Sequence, residues 1–380
     1  VQLLVNKKRI LVMGGISSSL INFRGPLLQL LKARGHDVVA AAADDETSRE
    51  VALALGRVNI KFINVPIFRG GTNPFEDLRS LGAILRLLHD VRPDVLIAYT
   101  IKPVIYGGIA ARAVGGISYF PMITGLGYAF TSGRGIKRAG LRKVVTSLYR
   151  MGLKSADTVI FQNPDDKTLF EDLGLINRKS RSLRVFGSGV DRDAFPPRPM
   201  PDAPIFLMMA RLLADKGVRE YVQAARIVLR QYPEARFILA GGLDPNPAAI
   251  AKAEVDDWVN EGVVEYLGHV KSAHPVLARC RYYVLPSYRE GTPRSVLEAM
   301  SIGRPIITTD VPGCRETVVH GHNGLLVPPR SSAALAEAMI EMIRSSNDAM
   351  LAMGNASKEI VRARFDVHDV NQTIIKAMGL

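Results

Sequence analysis

In Lys8-Arg9-Ile10-Leu11-Val12-Met13-Gly14-Gly15 a short apolar run ends at two glycines. Such a run reads as a strand buried on both faces and closed by a tight turn. Downstream, Leu27-Leu28-Gln29-Leu30-Leu31-Lys32 has helical spacing, and Gly35-His36-Asp37 closes it. Val38-Val39-Ala40-Ala41 then supplies a second strand. Strand, glycine turn, helix and strand make one βαβ unit. Further short strands follow at Ile60–Val65, Val95–Ala98 and Asp157–Phe161. The rhythm is that of a parallel sheet covered by helices.

The rhythm breaks at Pro196, Pro197, Pro199, Pro201 and Pro204, a density that excludes a helix or a central strand and predicts a stiff linker. It then restarts. Ile205–Ala210 is a strand, Gly217–Arg230 a helix, and Arg236–Ala240 a strand closed by Gly241-Gly242. Tyr282–Pro286 and Pro305–Thr309 continue the series. The sequence therefore predicts an α/β protein with two Rossmann-like domains, 1–195 and 196–364, and a C-terminal helix, 365–380, that packs back on the first. A length of 380 residues suits two cores better than one. Ligand sites in open parallel sheets lie at the carboxyl ends of the strands, so two facing sheets would share a cleft.

The bulk numbers are those of a globular chain, 47% hydrophobic with a mean hydropathy of +0.10. Val1–Lys7 is too short for a signal sequence, and without an 18-residue apolar run no spanning helix is expected. Cys280 and Cys314 form no disulfide framework and suit a reducing cytoplasm. The net charge of +13 is uneven: residues 1–195 hold 28 Lys/Arg against 16 Asp/Glu, and residues 196–380 hold 21 against 20. A basic half attracts anionic lipid, phosphorylated substrates or nucleic acid, or serves as a solvated surface.

Four constellations can carry chemistry. Arg211 follows the strand that opens the second domain, and Lys216 sits five residues on, before Gly217. Two cations at a strand-to-helix turn suit a diphosphate, although a plain basic turn has the same composition. Glu290-Gly291-Thr292-Pro293-Arg294-Ser295-Val296-Leu297-Glu298 places one carboxylate in a loop and another on the helix that Pro293 starts. Carboxylates accept hydrogen bonds from sugar hydroxyls, and the amides of 292–295 suit a phosphate; a hydrolytic acid/base pair remains an alternative. Gly14 and Gly15 allow a backbone to approach a ligand closely. No GxGxxG or GxxxxGK[ST] motif is present, which argues against a dinucleotide dehydrogenase and a P-loop ATPase.

Residues 134–154 form the fourth. Arg134, Lys137, Arg138, Arg142, Lys143, Arg150 and Lys154 interleave with Leu141, Val144, Val145, Leu148 and Tyr149 at helical spacings. This amphipathic helix suits an anionic membrane surface, or packs its apolar side on the sheet and shows charge to water. Other features carry less. Asp191-Arg192-Asp193 has an acid-x-acid pattern but adjoins the prolines, where a turn is expected. The pairs His269/His274 and His320/His322 lack a third ligand nearby, so no metal is predicted. Nucleic acid is not expected as a partner, because no stacking platform accompanies the basic residues.

With these segments in place, the chain resembles the retaining GT-B glycosyltransferases of family 4. It is most similar to bacterial transferases that build surface polysaccharides, lipopolysaccharide among them, or lipid-linked oligosaccharides. The resemblance covers nearly the whole chain and rests on Gly14-Gly15, Gly125-Leu126-Gly127, Gln162–Asp166, Gly187–Asp191, Arg211–Gly217, Glu290–Glu298 and Pro312–Glu316. It implies a GT-B fold with a donor/acceptor cleft and a nucleotide sugar, UDP-linked, as substrate rather than cofactor. It implies that Arg211 and Lys216 bind the donor diphosphate and stabilise the leaving group, without a metal. Glu298 would hold the ribose hydroxyls, Glu290 the transferred sugar, and Gly15 the donor phosphates from the first domain.

One departure bears on substrate. Many relatives carry a histidine near the acceptor, where Phe120-Pro121-Met122-Ile123-Thr124-Gly125 here offers Thr124. A threonine hydroxyl is a poor general base near neutral pH, so a donor phosphate oxygen would take the acceptor's proton. This fits the branch that moves N-acetylated sugars, an N-acetylhexosamine being expected, to a polyprenyl-diphosphate-linked saccharide. Lys102 is the next acceptor-side candidate, with a surface lysine as its alternative. The expectation is a monomeric cytoplasmic enzyme, peripheral on the inner face of the plasma membrane. A GT-B sugar-nucleotide epimerase, a transferase with a soluble acceptor and a non-catalytic membrane scaffold are the alternatives.

Overall fold

The computed structural model describes residues 7–68, 73–126, 136–176, 181–244 and 248–380, leaving aside the side chains of 136–139. Two compact units result: Val1–Ser188 with Asn371–Leu380, and Gly189–Val370.

The first unit holds a seven-stranded sheet. Its strands are β1 (Arg9–Met13), β2 (Asp37–Ala43), β3 (Lys61–Val65), β4 (Val95–Tyr99), β5 (Ser118–Ile123), β6 (Val159–Phe161) and β7 (Ser182–Arg184). Their order is β3-β2-β1-β4-β5-β6-β7, and every pairing is parallel. Ile10 lies opposite Val38 on one side and Val95 on the other, so β1 is central. All five residues of β4 are buried, which explains their unbroken apolar sequence. Under the sheet, Phe170 meets Tyr149 edge-on at 5.1 Å and Phe161 at 5.4 Å. The glycine turn Gly35 ends the first long helix, Gly25–Ala33, as its sequence required. The chain's last residues return to this unit, where Arg34 donates to Gln372 Oε1 and to the Leu380 carbonyl.

The second unit repeats the plan with six strands: β8 (Ile205–Met209), β9 (Arg236–Ala240), β10 (Glu265–Tyr266), β11 (Tyr282–Leu285), β12 (Ile306–Thr309) and β13 (Gly324–Val327). The order is β10-β9-β8-β11-β12-β13, again all parallel. The aromatic Phe206 of β8 stacks on Phe237 at 5.1 Å and on Tyr282 at 4.7 Å. The buried Tyr221 keeps its hydroxyl satisfied by donating between the Phe206 and Ile238 carbonyls, at 3.0 and 3.1 Å.

The proline-rich stretch belongs to this unit and is held down along its length. Arg304, fully buried, donates to the carbonyls of Arg198 and Pro199 at 3.0 and 2.9 Å, and Arg281 donates to that of Pro201 at 2.7 Å. A stretch outside the sheet leaves its carbonyls without ladder partners, and two guanidinium forks take up three of them. Each sheet reverses strand order once, between β1 and β4 and between β8 and β11. Ligand sites in such sheets form outside the carboxyl ends at that reversal.

Candidate functional site

In the second unit the candidates gather at the carboxyl ends of β8 and β11. The turn Ala214–Lys216 follows β8, and the loop carrying Glu290 follows β11. Lys216 Nζ donates to Glu290 Oε1 at 2.6 Å, and Ser287 Oγ donates to the same oxygen at 2.8 Å. Both charged side chains are only about 15% exposed, at 16% and 15%. The two loops are also joined through backbone. Tyr288 N–H donates to the Asp215 carbonyl at 2.8 Å. Gly217, at φ +75°, lies so close to the Pro286 carbonyl that a Cβ would stand 2.2 Å from its oxygen. Only glycine satisfies both the left-handed backbone and that approach.

Tyr288 carries the connection further. Its hydroxyl donates to Glu220 Oε1 at 2.5 Å, and the Arg330 guanidinium lies 4.4 Å from the centre of its ring. Burial, then the Glu220 carboxylate, pushes the Tyr288 hydroxyl above its usual pKa and keeps it a donor. Glu220 Oε2 and Asp215 Oδ1 are buried acceptors with no hydrogen-bond partner.

Pro293 precedes the helix Arg294–Ser301 as its cap, so the helix starts one residue later than the sequence suggested. Glu298 sits one turn in, 7% exposed, and accepts from Arg294 Nε at 2.7 Å. Burial raises its carboxyl above the usual range, and Arg294 pulls it back. Gly291, Thr292 and Ser295 lie in the same loop and first turn. Arg211 stands apart from the Lys216–Glu290 pair: it is 58% exposed and donates to Asp244 Oδ2 at 3.0 Å. Asp244 follows β9, the neighbour of β8. Asp244, Ser287 and Tyr288 were not among the sequence candidates. The signals were the Gly241-Gly242 turn before Asp244 and the closeness of Ser287 and Tyr288 to Glu290.

In the first unit Gly14 and Gly15 end β1, Lys102 opens the helix that follows β4, and Thr124 and Gly125 follow β5. These three strands are neighbours, so the five residues share one sheet edge. The room at the two glycines is used by the protein itself. A Cβ on Gly14 would stand 2.4 Å from the Tyr99 ring, and one on Gly15 would stand 2.7 Å from Thr100 Oγ1. A side chain at either position would therefore collide with Tyr99 or Thr100. Lys102 is no loose surface lysine, because its Nζ donates to Asp77 Oδ1 at 2.7 Å with both side chains mostly buried. Gly127 and Arg134 lie outside the described residues, as do the side chains of Lys137 and Arg138.

The remaining features resolve locally. Asp191 Oδ1 accepts from the amides of Asp193 and Ala194, which makes the acidic triplet a turn. Among the described residues no group of three His, Cys, Asp or Glu gathers as a ligand set. Cys280 and Cys314 are buried free thiols, each pushed up to about 12 by burial. No described helix is long and apolar enough to cross a membrane. Helix Ile136–Gly152 turns Val145, Leu148 and Tyr149 to the core, while Val144 and Met151 face outward beside Arg142, Lys143 and Arg150.

Two all-parallel α/β units are the architecture of two-domain sugar transferases, and comparison with known proteins supports that fold and family. The second unit matches the family "Glycosyl transferases group 1" over residues 203–345, and the first matches "Glycosyl transferase 4-like domain" over residues 25–185. The chain belongs to the GT-B glycosyltransferases of family 4, among those of bacterial polysaccharide biosynthesis. A Campylobacter jejuni relative, N,N'-diacetylbacillosaminyl-diphospho-undecaprenol alpha-1,3-N-acetylgalactosaminyltransferase, is 28% identical over 94% of this chain and 95% of its own. An Escherichia coli relative, UDP-Gal:alpha-D-GlcNAc-diphosphoundecaprenol alpha-1,3-galactosyltransferase, is 24% identical over 75% of each. Among solved structures, Anabaena HepE with UDP-glucose superposes with a TM-score of 0.76 at 20% identity, covering 98% of this chain and 99% of that one. Sucrose-phosphate synthase of Thermosynechococcus elongatus does so at 0.79 and 18%, covering 98% of each.

Proposed function

We propose that this glycosyltransferase moves an N-acetylhexosamine from a UDP-sugar to a polyprenyl-diphosphate-linked saccharide, with retention and without a metal ion. The observation that carries the reading is the shielded Lys216–Glu290 pair at the carboxyl ends of β8 and β11. An ammonium has three donors, and the bond to Glu290 engages one of them. Lys216, with Arg211 five residues back in the chain, supplies the positive charge that a departing diphosphate needs. Glu290 then orients the transferred sugar through its hydroxyls, and Glu298 accepts from the ribose. Backbone amides of Gly291, Thr292, Arg294 and Ser295 meet the phosphates at the helix start, where Pro293 has no N–H to give. Gly14 and Gly15 contribute backbone from the first unit.

On the acceptor side, Lys102, Thr124 and Gly125 share one sheet edge. Thr124 is a poor base, so a donor phosphate oxygen receives the acceptor's proton as its hydroxyl attacks the face the diphosphate leaves. The names of the Campylobacter and Escherichia relatives, both of which specify undecaprenyl-diphosphate-linked acceptors, support the lipid-linked acceptor. The mixed basic and apolar outer face of helix Ile136–Gly152 supports work at an anionic membrane, and our reading is of a peripheral monomer on its inner face.

The test is nucleotide release from a panel of UDP- and GDP-sugars, with and without polyprenyl-diphosphate-linked saccharides in detergent. Release with UDP-N-acetylhexosamine that requires the lipid acceptor, survives EDTA and yields an α-linked product supports the proposal. Lys216→Ala and Glu290→Gln should each lower kcat by about a hundredfold or more, the scale of losing a stabilising group in a transition state. Unchanged transfer in both variants would remove this site from the chemistry.

A further inference from the structure

We propose that Phe75 and Leu78, at the start of helix Pro74–Val91, form a lipid-inserting contact that seats the first unit in an anionic bilayer. This deepens the membrane reading above and rests on it. Asn73 caps the helix by accepting from Phe75 N–H at 3.1 Å, and Pro74 takes the first position. Phe75 and Leu78 are three residues apart and share one face. They are 78% and 65% exposed, the two highest values among the large described hydrophobics. The helix buries Ile84, Leu87, Leu88 and Val91 at its other end, whereas the two large apolar residues at its start are left in water. Phe68, itself 37% exposed, is tied to the same end by its N–H bond to Ser80 Oγ at 3.3 Å.

The charge of the neighbouring helices favours an anionic lipid surface. From Val95 through Ala156 the chain has no Asp or Glu and nine Lys or Arg. That stretch builds the helices Ile101–Val114 and Ile136–Gly152, and the first of these packs against both helix Pro74–Val91 and helix Ile136–Gly152. The three helices form one layer, with an apolar tip on one flank and a basic outer face, including Arg142 and Lys143, on the other. Of the acids beside the tip, Asp77 is neutralised by Lys102 and Glu76 is partly buried. Inserted apolar groups and anionic headgroups each satisfy one part of such a surface. In a parallel sheet a helix that follows a strand starts at the strand's carboxyl end. Phe75 and Leu78 therefore lie at the sheet edge that carries Lys102, Thr124 and Gly125. A lipid-linked acceptor would meet those residues while its chain stays in the bilayer.

The experiment measures co-sedimentation of the full chain with vesicles of mixed phosphatidylglycerol and phosphatidylcholine, across a range of salt. Phe75→Ser/Leu78→Ser should weaken partition by about tenfold or more, and the loss should persist in high salt, because it removes buried apolar area. Arg142→Gln/Lys143→Gln should weaken it chiefly at low salt. Equal thermal midpoints would show that both variants fold. An apolar variant that partitions like the parent, or a parent that ignores these vesicles and so keeps the surface for a protein, overturns the proposal. Transfer to a water-soluble acceptor analogue should be unaffected by Phe75→Ser/Leu78→Ser. A parent that binds vesicles through these residues but transfers no sugar supports this contact and sinks the catalytic reading alone.

Discussion

Glu298 is buried against Arg294, and the two effects on its carboxyl oppose each other. Burial raises the pKa and Arg294 lowers it, with burial the larger. The folded protein therefore holds this proton to higher pH than the unfolded chain does. Stability from this group is present at low pH and is lost as pH rises from the unfolded value through the folded one. Arg294→Gln removes the opposing charge, lifts the folded value further and widens that window. The variant should lose more thermal stability against the parent at about pH 7.5 than at about pH 5, by roughly 1 kcal/mol for each unit of added shift. An equal loss at both pH values would mean that Arg294 acts through packing alone. Glu298→Gln tests the proposed ribose contact separately: UDP affinity should fall about tenfold, the scale of one charge-assisted hydrogen bond, while the thermal midpoint holds or rises.

The loop after β11 is where several elements are fastened together. Tyr288 N–H bonds to the lysine turn, and the Tyr288 hydroxyl bonds to Glu220, whose second carboxylate oxygen is already buried without a partner. Tyr288→Phe takes away the donor to the first oxygen. It should cost about 1–3 kcal/mol, the scale of stranding a buried charged acceptor, and Glu220→Gln in that background should recover part of it. Chemical unfolding of the single and double variants measures both, and equal costs would break the link. Nine strands, β1 to β4, β6, β8, β9, β11 and β12, were legible because buried parallel strands are short apolar runs between turn residues, whereas β5, β7, β10 and β13 were not read from the sequence. Lys216, Glu290 and Glu298 were singled out through the family resemblance, because their types and spacing alone left a basic turn or a hydrolytic pair open. The pairing of Lys216 with Glu290, and of Arg211 with Asp244 instead, was not, because it depends on which strands lie side by side. Amphipathicity alone also left helix Ile136–Gly152 open. Only packing separates Val145 and Leu148, which face the core, from Val144, which does not.

At the scale of the whole chain, charge and chemistry are divided between the two units. Residues 1–195 carry nearly all of the net positive charge, while Arg211, Lys216, Glu290 and Glu298 all lie in the second unit. A ligand stabilises what it binds in proportion to the logarithm of one plus its concentration over Kd, so the nucleotide part of the donor should act on one unit first. On adding UDP alone, hydrogen exchange should slow in peptides covering 211–217 and 286–298, where the Lys216 turn and the Glu290 loop are already bonded together. At UDP near a hundred times its Kd, the linkage gain is about 2.7 kcal/mol, or about a hundredfold in exchange for amides that open with this region. The Lys216→Ala chain should lose most of that protection and keep its unliganded exchange pattern elsewhere. Anionic vesicles should slow exchange in a different set of peptides, those of helices Pro74–Val91 and Ile136–Gly152. If UDP instead protected the first unit's helices and left 286–298 unchanged, the assignment of the donor to the second sheet would have to be reversed.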